Sequence, residues 1–409
     1  MEALRENGYK GRITIISREP DTVIDRTKLS KALIPDASKI LLRPKEWYSS
    51  VSIDNVSDDV TGVDFDKKTV TGASGETYKY TKLVLATGGV PRHLPLPGFK
   101  DLGNIFVLRS VLHVQQILDA VGEQSRKIVV IGSSFIGMEV GNCLATKGND
   151  VSIVGIESVP MENIMGKQVG AIFQSNLEKN GVKFYLNNGV DKAVPSESDS
   201  SKVGAVHLKG GTVLPADLVV LGVGVRPSTD FLKDNPSVSL NPDGSLQTNE
   251  SFAVDGLNDV YAIGDIATYP YHGPSAREPG QGVPYVRIEH WNVAQNAGRS
   301  VGRAIASKHP VKPKPFIPIF WSALGAQLRY CGNVTHGYDD VVLKGEPDNA
   351  KFAAFYTAGN KVVAVATMGM DPINSKCAEL MRRGNMPSKT DLQNGIDVLA
   401  VDVPGKVRI

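Results

Sequence analysis

Cysteine is scarce in this chain. Three occur in 409 residues, at Cys143, Cys331 and Cys377, and none stands in a C-x-x-C or comparable pair. That excludes a disulfide framework and a cysteine-built metal centre, and it suits a reducing compartment. An excess of one charge is lacking too. With 45 Lys and Arg against 43 Asp and Glu, the net charge is +2, so neither nucleic acid nor an anionic membrane is expected as the main partner. No apolar run approaches the roughly 18 residues of a membrane helix. The remaining composition, 41% hydrophobic and 22% charged, is that of a soluble globular enzyme, and the length calls for two or three domains.

What is present is a dinucleotide site in mid-chain. Residues 127–145 read K-I-V-V-I-G-S-S-F-I-G-M-E-V-G-N-C-L-A. The run 128–131 predicts a buried parallel strand, Gly132 opens a turn, and Gly137 lets the following helix pack on the strand. Gly132, Ser134, Phe135, Ile136 and Gly137 thus aim a helix N-terminus at a pyrophosphate. Ser134 stands where a second glycine usually lets backbone approach the phosphate. A second strand at 150–154 follows about 20 residues after the first glycine, which completes a βαβ unit.

Two hydrophobic strands ending in small-residue turns bracket that unit, L-V-L-A-T-G-G at 83–89 and V-Y-A-I-G-D at 260–265. Open α/β sheets hold ligands at such carboxyl ends. Asp265 offers an acceptor-only carboxylate for a sugar hydroxyl; the alternative is that it caps a helix starting near Ile266. The strand at 217–226 also ends in glycines. Gly222 and Gly224 either approach the dinucleotide or simply make a tight turn.

Residues 1–7 predict the last turns of a helix that ends at Gly8. A strand at 12–16 follows and leads to Glu19, an acid at the ribose position. This is the second half of a nucleotide-binding unit, and about 30 residues would be needed for its start. We therefore expect an N-terminally truncated sequence. A short helix is predicted at 25–31, strands at 51–70 and 78–85, a proline-rich crossing at 90–98, and a solvated loop at 196–201. A helix opens at 288–291 and runs to about residue 308, a stiff proline linker spans 309–315, and antiparallel strands with helices follow. The expected domains are 1–104, 105–248, 249–312 (rejoining the first) and 313–409.

In order along the chain stand A-T-G-G at 86–89, the 132–137 loop followed by Glu139, G-V-G-V-R-P at 222–227, I-G-D at 263–265, R-I-E-H-W at 287–291 and F-W-S at 320–322. This series resembles the two-nucleotide flavoprotein reductases of the ferredoxin-reductase type and the related apoptosis-inducing factors. It is most similar to the apoptosis-inducing-factor-like branch, whose loop also carries serine and in which a Rieske domain can precede the reductase. The resemblance implies an α/β fold with two Rossmann-like dinucleotide-binding domains, for FAD and NAD(P), plus a smaller α+β C-terminal domain at the flavin face. It implies a flavin-dependent oxidoreductase that takes hydride from NAD(P)H and passes electrons to an iron–sulfur acceptor, a ferredoxin or a Rieske domain fused upstream. An NAD(H)-responsive signalling protein, a monodehydroascorbate reductase and a flavin-free remnant are the alternatives. The expected compartment is the cytoplasm, with the mitochondrion second; any targeting peptide would lie upstream of Met1.

Site residues follow from the same resemblance. R-T-K-L-S-K at 26–31 is similar to a family segment whose lysine lies beside the flavin ring, so Lys31 would stabilise negative charge there; the alternative is a solvated surface lysine. Glu139, placed in the first helical turn, would contact the nicotinamide amide and pair with Lys31, a pair that rearranges when nicotinamide enters, although an acid there also suits the helix dipole. Glu19 would bind the adenosine ribose and Val60 the adenine. Thr87, Gly88 and Arg109 would approach the dinucleotide, and Asp265 the ribitol. The helix opening at His290 and Trp291 would direct its N–H groups at the flavin, and Trp321 could cover the ring, unless either tryptophan is a core residue. Glu157 is the carboxylate nearest the end of the second strand, and NADH is favoured over NADPH. Disulfide reductases of this fold place a cysteine pair near residue 31; here there is none.

Overall fold

The computed structural model describes residues 1–20, 23–275, 282–307 and 315–403. The apolar run in Lys127–Ile131 forms the centre of a five-stranded parallel sheet. The order is Lys183–Tyr185, Asp150–Val154, Lys127–Ile131, Leu218–Leu221 and Ile105–Val107. Both faces of the two central strands are covered, which is why I-V-V-I at 128–131 and L-V-V-L at 218–221 read as unbroken Val/Ile/Leu. Ile128, Val130, Ile153 and Val220 pack among residues of the helices Val111–Val121, Phe135–Ala145 and Glu162–Lys179. Val129, Ile131, Val219 and Leu221 face an antiparallel sheet of Val190–Pro195, Val203–Leu208 and Val213–Pro215.

A second α/β unit holds two parallel pairs, Ile13–Ser17 with Ile53–Ser57 and Leu83–Leu85 with Val260–Ala262. The two pairs are not hydrogen-bonded to each other. Beside them lies an antiparallel sheet of Val60–Asp64, Thr69–Gly72 and Thr77–Lys79. Val260, Ala262, Val293, Ala297 and Val301 make its core, so helix Trp291–Ala306 buries the stripe expected of 3.6-residue spacing. Helix Glu2–Glu6 packs on that helix where Gly302 leaves room for Ala3.

The chain passes between the two units through one short antiparallel pair, Gly89–Pro91 with Val225–Pro227. Leu232 and Leu246 already pack in the core with Val260, so the chain rejoins that core ahead of residue 248, where the sequence set the boundary. Of the proline linker expected at 309–315, residues 309–314 lie outside the described residues.

The C-terminal region is a five-stranded antiparallel sheet in the order Ile319–Ala323, Gln327–Gly332, Lys361–Met368, Lys351–Ala358, Asp340–Glu346. Phe352, Ala354 and Tyr356 face the large core that also contains Ile128 and Phe173, while Ala353 and Phe355 face helix Ile373–Arg383 through Cys377 and Met381. Helix Glu162–Lys179 is broken at Gly166, with φ 72 and ψ 171. Any Cβ there would collide with the Tyr338 hydroxyl. Tyr356 Oη donates to the Met165 carbonyl at 2.9 Å, tying the C-terminal sheet to the helix at the break. Among the described residues no helix is long and apolar enough to cross a membrane. Tyr356→Phe is expected to cost about 1 kcal/mol, read from the urea midpoint, because a buried hydroxyl–carbonyl bond is lost without a new cavity.

Candidate dinucleotide site

Three glycines shape the loop after Ile131. Gly132 sits at φ +110 and its N–H donates to Val154 O at 2.8 Å. A Cβ on Gly132 would strike the Gly222 carbonyl, one on Gly137 would strike the Gly132 carbonyl, and one on Gly222 would lie 3.0 Å from Gly137 Cα. Strand, loop and helix therefore touch backbone to backbone, and Gly222 is explained by packing. Gly224, at φ +88, faces open space. Ser134 is the N-cap of helix Phe135–Ala145 and its side chain makes no capping bond, so N–H groups of the first turn stay available to a phosphate. Phe135, the first helical residue, meets Phe320 edge-on at 4.7 Å, and Ile136 packs against the large core. Ser133 Oγ donates to Glu157 Oε2 at 2.8 Å. Gly137→Ala is expected to lower the thermal midpoint by several degrees, because the overpacking costs about 1–3 kcal/mol and the neighbour is backbone.

Glu139 lies in the second turn of its helix, since the helix begins at Phe135. The first-turn position expected from the sequence is corrected, and the dipole alternative weakens with it. The side chain is only 4% exposed. Lys31 Nζ stands 3.0 Å from its Oε1, so the expected ion pair is present. Ser322 Oγ also donates to Oε1, and Ser30 Oγ to Oε2, each at 2.5 Å. Lys31 and Ser30 come from helix Thr27–Ala32 and Ser322 from the C-terminal strand Ile319–Ala323. Ser30 and Ser322 stand in the strings at 26–31 and 320–322, but a serine hydroxyl carries no sequence signal until its partner is brought beside it.

A second group of charges lies at the strand ends of the other α/β unit. Arg26 grips Glu19 with both nitrogens, at 3.0 and 2.7 Å, and its Nη1 also donates to Arg109 O at 2.6 Å. Burial raises the Glu19 carboxyl, but the Arg26 hydrogen bond and charge outweigh it and hold it below the ordinary range. Arg109 Nη2 meets Asp265 Oδ2 at 2.5 Å, beside Gly88 at φ +67. Asp265 sits inside the 3₁₀ turn Gly264–Ile266, whose N-cap is Ile263, so the capping alternative is removed. Arg287, unassigned in the sequence, holds the Asp265 carbonyl at 3.1 Å, Asp243 at 2.7 Å and Glu289. Thr87 is exposed and its hydroxyl donates to Ser228 O at 2.6 Å. Val60 opens a strand and packs beside the adjoining core.

His290 is the N-cap of helix Trp291–Ala306 and makes no side-chain capping bond. Its ring lies 4.4 Å from Phe320, and Nδ1 is buried without a hydrogen-bond partner among the described residues. Trp291 is half-buried and Trp321 is 38% exposed, on the strand face opposite Phe320 and Ser322. Cys143, Cys331 and Cys377 are free and buried. Burial pushes the Cys377 thiol up to about 12, leaving it inert.

Burial lowers His290 to about 4, with Asp265 opposing, against about 6.5 in an unfolded chain. The fold therefore favours the neutral ring. Its contribution is complete above pH ~6.5 and is lost as pH falls towards ~4. Glu289, raised by burial against the pull of Arg287, changes in the opposite sense, so the reading is a difference. The urea midpoint of wild type is expected to fall more steeply than that of His290→Leu across this window.

One βαβ unit with a glycine-shaped loop at its helix N-terminus is joined through a buried ion pair to a second unit bearing arginines and carboxylates at its strand ends, the arrangement of a two-unit α/β fold. Residues 1–298 match the pyridine nucleotide-disulphide oxidoreductase family, to which the chain belongs. Residues 319–399 match the reductase C-terminal family. Mouse apoptosis-inducing factor 3 is 34% identical over 96% of this chain and 62% of its own length, so the chain spans under two thirds of that relative. Rhodocoxin reductase of Rhodococcus erythropolis is 28% identical, over 90% of this chain and 82% of that protein. Among solved structures, the covalent putidaredoxin reductase–putidaredoxin complex superposes with a TM-score of 0.86 at 26% identity, covering 96% of this chain and 91% of that one.

Proposed function

We propose that the chain is a reductase that takes hydride from NAD(P)H through FAD and hands electrons to an iron–sulfur protein. The observation that carries this reading is the buried Lys31–Glu139 pair, set where the two α/β units meet and where no cysteine pair stands. Similarity to rhodocoxin reductase and to the reductase of the putidaredoxin complex supports a ferredoxin-type acceptor. A Rieske domain on the same polypeptide is the tethered form of the same proposal. Three free cysteines suit a reducing compartment, the cytoplasm before the mitochondrion.

The residues present fit FAD. Arg26 and Arg109 offer donors suited to a pyrophosphate, Glu19 and Asp265 offer acceptors suited to sugar hydroxyls, Val60 an apolar wall for adenine, and Thr87 and Gly88 close approach. The orphaned nitrogen of His290 and the free N–H groups of its helix supply further polar atoms near that end. When bound, FAD supplies the hydride acceptor and the one-electron donor. Lys31 places a fixed positive charge at the junction, which favours developing negative charge without reorganisation. Glu139 accepts from Lys31 and Ser322 at Oε1 and from Ser30 at Oε2, which leaves about one acceptor direction, on Oε2, that a carboxamide donor entering there would take. Trp321 is free to cover a ring or meet an acceptor.

The test is an absorption spectrum of the purified protein after incubation with FAD, followed by anaerobic NADH or NADPH and then an oxidised ferredoxin. Flavin bands that bleach and return with ferredoxin are expected. Lys31→Met should slow bleaching about 10- to 100-fold while leaving the flavin bound. A colourless protein, or a flavin that neither nucleotide bleaches, would overturn the reading.

A further inference from the structure

The sequence leaves the choice between NADH and NADPH to Glu157, two residues past the usual position for a ribose-binding acid. The structure shows what replaces that acid. Val154 ends the second strand, and the next residue is Gly155. A Cβ on Gly155 would collide with Ser133 Oγ. Ser133, in the pyrophosphate loop and 2% exposed, therefore occupies the space that a carboxylate side chain from residue 155 would need.

The same hydroxyl reaches Glu157. Ser133 Oγ donates to Glu157 Oε2 at 2.8 Å, and the Ser133 carbonyl accepts from Met161 N at 2.9 Å. The 155–157 backbone is fixed from the other side: Asn188 N donates to Gly155 O at 3.0 Å and Asn187 N to Glu157 O at 2.9 Å. The carboxylate is thus held against the loop, at the carboxyl end of the second strand, and among the described residues its second oxygen meets no protein donor. The neighbouring acid is engaged elsewhere, since Glu162 Oε2 accepts from Ser158 N and Oγ at 2.7 Å. Among the described residues no Lys, Arg or His forms an ion pair with Glu157.

We propose that Gly155, Ser133 and Glu157 act as one device that selects the unphosphorylated adenosine ribose, so that NADH and NAD⁺ are the nucleotides of this site. The inference rests on the functional reading above and specifies its substrate. Glu157 accepts from ribose hydroxyls. A 2′-phosphate would be placed against an uncompensated carboxylate, and like charges so juxtaposed are strongly disfavoured. Ser133 is a positioning residue, because it acts on the ribose only through Glu157.

Calorimetric titration with NAD⁺ and with NADP⁺ tests this without turnover, since neither oxidised nucleotide reduces the flavin. NAD⁺ is expected to bind about 100-fold tighter than NADP⁺. Glu157→Gln should shrink that ratio about tenfold or more, chiefly by improving NADP⁺ binding, and Ser133→Ala should shrink it by a smaller factor through weaker NAD⁺ binding. Glu162→Gln, which alters a nearby acid outside the device, should leave the ratio unchanged. Equal affinities in wild type, or a ratio indifferent to Glu157→Gln, would overturn the inference and leave the reductase reading intact. Binding of neither nucleotide would overturn both.

Discussion

The carboxylate of Glu139 is the point on which the three parts of this chain converge. It is nearly sealed from water, and each oxygen is satisfied from a different stretch of sequence: Ser30 stands 109 residues away and Ser322 stands 183 away, with Lys31 supplying the opposite charge. A buried carboxylate is tolerated only with such compensation, and removing one partner of a buried pair costs about 3–5 kcal/mol. The junction of the two α/β units and the C-terminal sheet is therefore fixed by charge and hydrogen bonding at its centre. Apolar packing continues around it, since Leu29, Met138 and Phe320 belong to one core.

Much of the central sheet was legible because its two middle strands, Lys127–Ile131 and Leu218–Leu221, are buried on both faces and carry unbroken aliphatic runs. The glycine loop was legible because its glycines have no substitute: their absent side chains are where neighbouring backbone runs. Helix starts were less so. The sequence alone puts Glu139 in the first turn, two residues past Gly137, whereas Ser134 is the cap and the helix is already formed at Phe135. The return to the first core was placed late because the crossing strand, Val225–Pro227, is three residues long and contains proline, too short for any period to show.

The site divides along the same line. Charged residues in distinctive strings were found, and Lys31 with Glu139 meets as expected. What the strings could not show is pairing. Arg26 with Glu19, Arg109 with Asp265, and Arg287 bridging Asp243 and Glu289 are contacts between segments that approach only after folding.

The strand Ile319–Ala323 alternates strictly, with Phe320 and Ser322 inward and Trp321 outward. Because side chains in a strand change face at every step, a slip of one position against Gln327–Gly332 would turn the indole onto the Glu139 carboxylate and expose the serine that hydrogen-bonds it. The pleat thus works as an error detector: only one alignment of this edge strand leaves the buried charge solvated by protein, and every misaligned form carries a penalty at the heart of the molecule.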